Sequence, residues 1–115
     1  VTRLAAAVAA TADQLRAANH ATVRGAITPT ETYDVVGNLD DLAHRLPQLL
    51  DFLVRSLRRA DGTEHFDDRG TDSGQALRLA RGHLDDARHR AAELAAHLTH
   101  AHNELGHLGQ LRPED

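Results

Sequence analysis

Apolar positions along the chain recur at alternating spacings of three and four, the period of helices with one buried face. In the first segment Leu4, Val8, Thr11, Leu15, Ala18 and Thr22 fall on one line, and Gly25 stands where a left-handed C-terminal cap belongs. A helix is predicted over about 2–24. The next start is marked by Thr28-Pro29-Thr30-Glu31. Thr28 can accept from first-turn amides, Pro29 presets the backbone at the first helical position, and Glu31 can reach back to the cap. The helix it opens is predicted over about 29–60. It carries two apolar lines, Leu39, Leu42, Leu46, Leu49 and Leu53 beside Val36, Ala43, Leu50, Val54 and Leu57. Two lines imply cover on two sides, which makes this the central helix. Pro47 lacks an amide donor and predicts a kink, and Gly37 is a second weak point.

A polar, acidic loop follows over 61–71, with Phe66 expected to tuck back over the hairpin end. A third helix is predicted over about 72–108, with Asp72 and Gln75 at its start. Its line of Leu77, Ala80, Leu84, Ala87, Ala91, Leu94, Leu98, Ala101, Leu105 and Leu108 keeps an unbroken heptad. The fold class expected is therefore all-α: one domain over residues 1–115, an antiparallel three-helix bundle with a long helix 2/helix 3 hairpin. The third helix would be roughly 50 Å long and the first only about 35 Å. Helix 1 should then cover the first two-thirds of helix 2, leaving Phe52, Leu57 and Leu79 at the loop end as candidate partner-binding residues.

Composition agrees with helices and narrows what fills the core. Aromatics make up 3%, with no Trp and no Met, so Leu, Ala and a few Val must do the packing. Ala and Leu lead the helix-propensity scale, but each Ala buries little area. Stability should come from close helix approach or from a core shared with another chain. Every one of the 13 basic residues is Arg and the net charge is −4. Between Arg55 and Arg90 the arginines are interleaved with acids such as Asp61, Asp67, Asp72 and Asp85, which argues against a nucleic-acid surface. The absence of Cys excludes disulfides and thiolate metal sites. No apolar run is long enough to span a bilayer. Arg3 followed by an Ala-rich run faintly resembles a leader, but Asp13 and Arg16 continue the helical pattern; the segment reads as helix and the expected location is cytoplasmic.

Several constellations could carry chemistry. Glu93, His97, His100, Glu104 and His107 line one narrow helical face, and Glu104-x-x-His107 is the two-ligand unit of di-metal bundles. His97, His100, Glu104 and His107 are therefore the candidate metal ligands. The bundle would need matching Glu and Glu-x-x-His sets on other helices; helix 1 offers only Asp13, and helix 2 has Asp34, Asp40, Asp41, His44 and Asp51 without the motif. An adventitious divalent metal aside, no cofactor is expected. Glu–His pairs on a solvated helix explain the same spacing. The 61–68 loop lacks the order of a calcium loop. His44-Arg45-Leu46-Pro47 invites comparison with the phospho-accepting His box of two-component kinases, but no acid follows the His and the Pro comes too early. No Gly-rich phosphate loop and no Ser/His/Asp set occurs, so no catalytic residue is assigned and catalysis is not expected.

Three stretches, Tyr33-Asp-Val-Val-Gly-Asn-Leu39, Arg45-Leu-Pro-Gln-Leu-Leu50 and the Ala/Arg/Asp-rich third helix, resemble small helical proteins of high-GC actinobacteria. Such proteins often accompany plasmid-transfer or regulatory genes, and the resemblance implies an accessory role. The function expected is a non-enzymatic helical interaction module, self-associating or binding a protein partner through helix faces. The alternatives are a metal-binding bundle using the His/Glu stripe, and a nucleic-acid accessory factor. The latter would need a basic face assembled from Arg55, Arg58, Arg59, Arg78 and Arg81.

Overall fold

A computed structural model describes residues 2–109 and Leu111. It contains three α-helices and, among the described residues, no strand: α1 (Arg3–Ala21), α2 (Pro29–Arg58) and α3 (Ser73–Gly106). Short 3-10 turns occupy Thr22–Arg24 and Gly62–Glu64. Each helix starts on a side-chain cap, which satisfies one of its otherwise orphaned amides. The Thr2 hydroxyl accepts from the Ala5 amide at 3.0 Å and Thr28 from the Glu31 amide at 3.1 Å. The Asp72 carboxylate accepts from the Gly74 amide at 3.1 Å. Pro47 lies inside the unbroken run of α2, half-buried, so the helix continues past the bond its ring denies to the Ala43 carbonyl.

The long hairpin is formed as expected: α2 and α3 pack along their length. The line turned to α3 on α2 is Val36, Asp40, Ala43, Pro47, Leu50, Val54 and Leu57, with Ala43 and Val54 buried and the others half-buried. This is the second of its two apolar lines, completed by Asp40 and Pro47. On α3 the line turned to α2 is Leu77, Arg81, Leu84, Arg88, Ala91, Ala95, Leu98, His102 and Leu105, with Ala91 and Ala95 buried and the others half-buried. It shares Leu77, Leu84, Ala91, Leu98 and Leu105 with the predicted heptad but takes the flank one residue later. Ala80, Ala87, Leu94, Ala101 and Leu108 are exposed instead, Leu94 by 48%. The apolar wedge of α3 is wider than one neighbour can cover, and the side turned to α2 carries Arg81, Arg88, Ala95 and His102 rather than Ala80, Ala87, Leu94 and Ala101. Ala43, Ala91 and Ala95 are buried together with Val54, and no large side chain is fully buried.

The expected cover of α2 by helix 1 is not formed. Among the described residues α1 contacts only the 3-10 turn that follows it and neither α2 nor α3. None of its residues is buried, and Leu4, Val8 and Leu15 are exposed. Between the turn and α2 the chain runs through Gly25 (φ 108, ψ −168), a backbone state that only glycine adopts without strain. Thr28 is held extended by its cap geometry and by the proline after it. These constraints steer α1 away from the hairpin. The molecule measures 73 × 25 × 25 Å, whereas α3 alone spans about 51 Å. Its radius of gyration is 19.9 Å, against about 13 Å for a compact domain of this length. The accessible surface is 9419 Å², against roughly 6,200 Å² for a compact monomer of 12.5 kDa.

One close approach along the hairpin fixes a glycine. A Cβ added at Gly37 would stand 2.9 Å from Nε2 of His102, whose ring stacks on Tyr33 with centroids 4.2 Å apart. Gly82, on the exposed side of α3, has open space where its Cβ would be. Both sites carry the same helix-propensity cost of about 1 kcal/mol relative to Ala. Gly82→Ala is expected to stabilise by about that amount in denaturant unfolding. Gly37→Ala should gain less or lose stability, and adding His102→Ala to it should lessen the packing penalty.

Candidate protein-interaction face

The α2–α3 contact has a polar layer near the start of α2 that fixes its register. Thr99 Oγ1 donates to Asp40 Oδ1 at 2.7 Å across the two helices. His44 lies on the same carboxylate at 3.1 Å, with Nδ1 also 2.8 Å from the Asp40 carbonyl oxygen. One turn further towards the helix start, the Tyr33–His102 stack covers Gly37. A one-turn slip would separate Asp40 from Thr99 and drive His102 off its glycine. These residues were not on the apolar lines read from the sequence. The legible signal was Gly37 inside a helix, which calls for a bulky neighbour.

With the register set, the remaining apolar residues fall on one side of the hairpin. On α2 the uncovered line is Leu39, Leu42, Leu46, Leu49 and Leu53, each one residue before a member of the buried line. Leu39 and Leu42 are exposed and the other three half-buried, and Val35 continues the line with 49% exposure. On α3 the uncovered line is Ala80, Ala87, Leu94 and Ala101, again one residue before Arg81, Arg88, Ala95 and His102, with Leu108 continuing it. One residue is a rotation of about 100° about the helix axis. The same sense of rotation about two antiparallel axes turns both lines to the same side. The result is a face with an apolar, Leu-rich wall on α2 and a mixed wall on α3, where Ala80, Ala87, Leu94 and Ala101 alternate with His83, Arg90, His97 and Glu104. At the end where Leu108 stands it meets a cleft of about 670 Å³ walled by Tyr33, Leu105 and Leu108, with the Thr28 and Thr30 hydroxyls at its edge.

The residues singled out in the sequence are placed differently. Phe52 and Leu79 are exposed by 46% and 54%. Each stands two positions from two members of its helix's buried line, hence on the outer back of α2 and α3 respectively. Leu57 is half-buried in the α2–α3 contact. The three do not converge. Phe66 does not tuck over the hairpin end as expected but is 86% exposed. His97, His100, Glu104 and His107 are all exposed, with His97 and Glu104 at the edge of the open side and His100 and His107 on the back of α3, and Glu93 pairs with Arg90 at 3.2 Å. No second helix faces that stripe to complete a ligand set. Among the described residues no group of three or more His, Asp or Glu is placed to hold a metal ion. Of the loop-end arginines, Arg55 pairs with Asp51 at 3.0 Å and Arg78 with Asp72 at 3.8 Å. The Asp85 carboxyl is held below its ordinary value by the Arg88 hydrogen bond first, with the charges of Arg88, His89 and Arg58 adding to it. Two of the five, Arg55 and Arg78, thus stand within ion-pair distance of an acid.

The acidic loop is organised internally rather than around a ligand. Asp67, whose side chain is 3% exposed, accepts from Arg69 Nε at 2.9 Å and Nη2 at 2.7 Å. It also accepts from the Arg69 amide at 2.9 Å and the Thr71 hydroxyl at 2.7 Å. Led by the Arg69 side-chain bonds, these contacts hold the Asp67 carboxyl far below the ordinary carboxylate range. Asp61 caps the Gly62–Glu64 turn through the Thr63 amide at 2.9 Å. The Ser73 hydroxyl donates to the Gly62 carbonyl, which ties the turn to the start of α3.

A depressed native pKa means that the native state binds fewer protons than the unfolded chain, so stability rises with pH across the titration window. The Asp67 contribution should be fully present above the unfolded value near 4 and fade as pH falls through the native one. Asp67→Asn is expected to lower the unfolding midpoint at pH 7, and the gap to the parent protein should narrow steadily below pH of about 4. A gap that stays constant down to strongly acid pH would show that the Asp67 charge contributes nothing.

No protein-family model, curated protein or solved structure matches this chain.

Proposed function

We propose that the protein is a non-enzymatic helical interaction module that uses the open side of the α2/α3 hairpin to bind another polypeptide. The observation that carries this reading is the continuous uncovered line of Leu39 and Leu42 on α2 beside Leu94 and Leu108 on α3, all exposed on one side. Monomeric proteins seldom leave so long an apolar strip in water, and strips of this kind mark interaction sites. The shape suits a helix, since ridges of side chains on an incoming helix can settle into the valley between two packed ones. The outer back of α2 carries the surface ion pair Arg45–Asp41 at 3.2 Å, which keeps that side solvated, and the Arg90–Glu93 pair at 3.2 Å borders the open side on α3. The accessory role implied by the resemblance to actinobacterial helical proteins is compatible with such a module.

A photo-crosslinking amino acid placed singly at positions 42, 94, 52 and 79 of the full chain, expressed in its own host, tests the reading. Positions 42 and 94 are expected to yield adducts with a second polypeptide, whether another copy or a different protein, and positions 52 and 79 far fewer. Adducts from 52 and 79 alone would move the interaction to the outer backs and overturn the open face as the binding surface. Intrachain products alone at all four positions would remove the reading altogether.

A further inference from the structure

We infer that the occupant of the open face is α1 of a second copy of the chain, the two copies exchanging their first helices about a two-fold axis. The inference rests on the reading of that face as a binding surface and names what fills it. Three features point to α1. Its length matches: the 19 residues of α1 span about 28 Å, and the α2 line from Val35 to Leu53 rises about 27 Å. Its chemistry matches, because Leu4, Val8 and Leu15 form an exposed apolar edge on a helix otherwise rich in Ala, which can lie close to Ala87 and Ala101. And α1 is without tertiary cover of its own, touching neither α2 nor α3.

The linker decides between the chain's own α1 and that of a second copy. Gly25 at φ 108 and the extended Thr28 ahead of Pro29 carry α1 outward, beyond the end of its own hairpin, in a molecule 73 Å long. With the linker in this state, α1 can reach a groove only on another chain. Short connections of this kind favour exchange of an identical element between copies. The exchange is reciprocal: each α1 enters the other copy's groove, so the contact closes and no filament grows. The area agrees. The chain exposes roughly 3,200 Å² more than a compact monomer of its size, and obligate dimers bury about 1,000–2,500 Å² per chain.

The chain has no cysteine, so paired single-cysteine variants report the contact directly. One protein carries Leu15→Cys, and three others carry Leu39→Cys, Leu42→Cys or Leu46→Cys. Each of the three is unfolded together with the first, refolded and oxidised. At least one mixture should give a covalent heterodimer between α1 and α2, on a parent protein that is dimeric by sedimentation. Val8→Asp with Leu15→Asp should weaken the dimer at least about 100-fold while leaving the α2/α3 hairpin helical by circular dichroism.

A monomeric parent whose Leu15→Cys/Leu42→Cys double variant closes an intramolecular disulfide would overturn the exchange, because α1 would then cover its own hairpin. A dimer that cross-links only hairpin to hairpin, as Leu42→Cys to Leu42→Cys, would overturn α1 as the occupant and leave the interaction face standing. A monomer with no α1–α2 cross-link and no adduct at position 42 would remove both.

Discussion

The structure depends on the close approach of α2 and α3 at Ala43, Ala91 and Ala95. Small side chains at these positions let the two helices lie side by side over their whole length, with Val54 the one larger residue buried beside them. Close approach favours dispersion contacts between backbones, but it buries little side-chain area per residue. The hairpin therefore also draws contact area from Leu50, Leu57, Leu77, Leu84, Leu98 and Leu105, all half-buried, and leaves Leu39, Leu42 and Leu94 on the adjacent face. Leu39, Leu42 and Leu94 are exposed while Ala43 and Ala95 are buried, because each of these leucines stands one residue, about 100° of rotation, before a member of the contact line.

Apolar packing between Leu-rich α2 and α3 discriminates weakly against sliding, because an apolar side chain meets a similar one a turn away. The polar layer supplies the discrimination. The Thr99–Asp40 bond and the His102 ring over Gly37 are each satisfied in a single register. Asp40 is also met by His44, so the carboxylate placed at the helix contact keeps two partners. At the other end the Ser73–Gly62 bond and the Asp67 cluster fix the connection between the helices. The loop is thus held by its own hydrogen bonds, and the hairpin does not rely on Phe66 to close it.

The class, the three helices and the hairpin were legible from period and caps: Thr28-Pro29 and Asp72 begin their helices as read. The choice of flank on α3 was not. Ala80, Ala87 and Leu94 are more apolar than Arg81, Arg88 and His102, so a count of apolar positions selects the wrong line. Long side chains such as Arg81 and Arg88 can lie along a contact with their stems covered and their heads in water, which a binary pattern does not register. Arg88 does this, half-buried while its guanidinium holds Asp85 at 2.8 Å. The position of α1 was missed for a different reason. A short linker is compatible with an antiparallel return, and only the actual backbone at Gly25 and Thr28 shows that the chain leaves the other way. The His/Glu stripe was visible as a spacing, but a spacing on one helix cannot say whether another helix faces it. The open face was readable in part, since α2 carried two lines and only one could meet α3.

The isolation of α1 bears on the whole molecule. Helix formation has a costly nucleus, and helices of this length are marginal in water even when rich in Ala. Helix α1 has good propensity and a cap at Thr2, yet none of its residues is buried and its Asp13–Arg16 ion pair is fully solvent-facing, the kind that contributes little. The hairpin, for its part, has no large side chain fully buried. Two elements each lack cover, one a helix of about 28 Å and the other a face of about 27 Å, and the proposed exchange would cover both. A chain that carries apolar residues on both surfaces while directing them apart has, in the exchange proposed above, a contact that covers both, with the linker geometry placing it between chains.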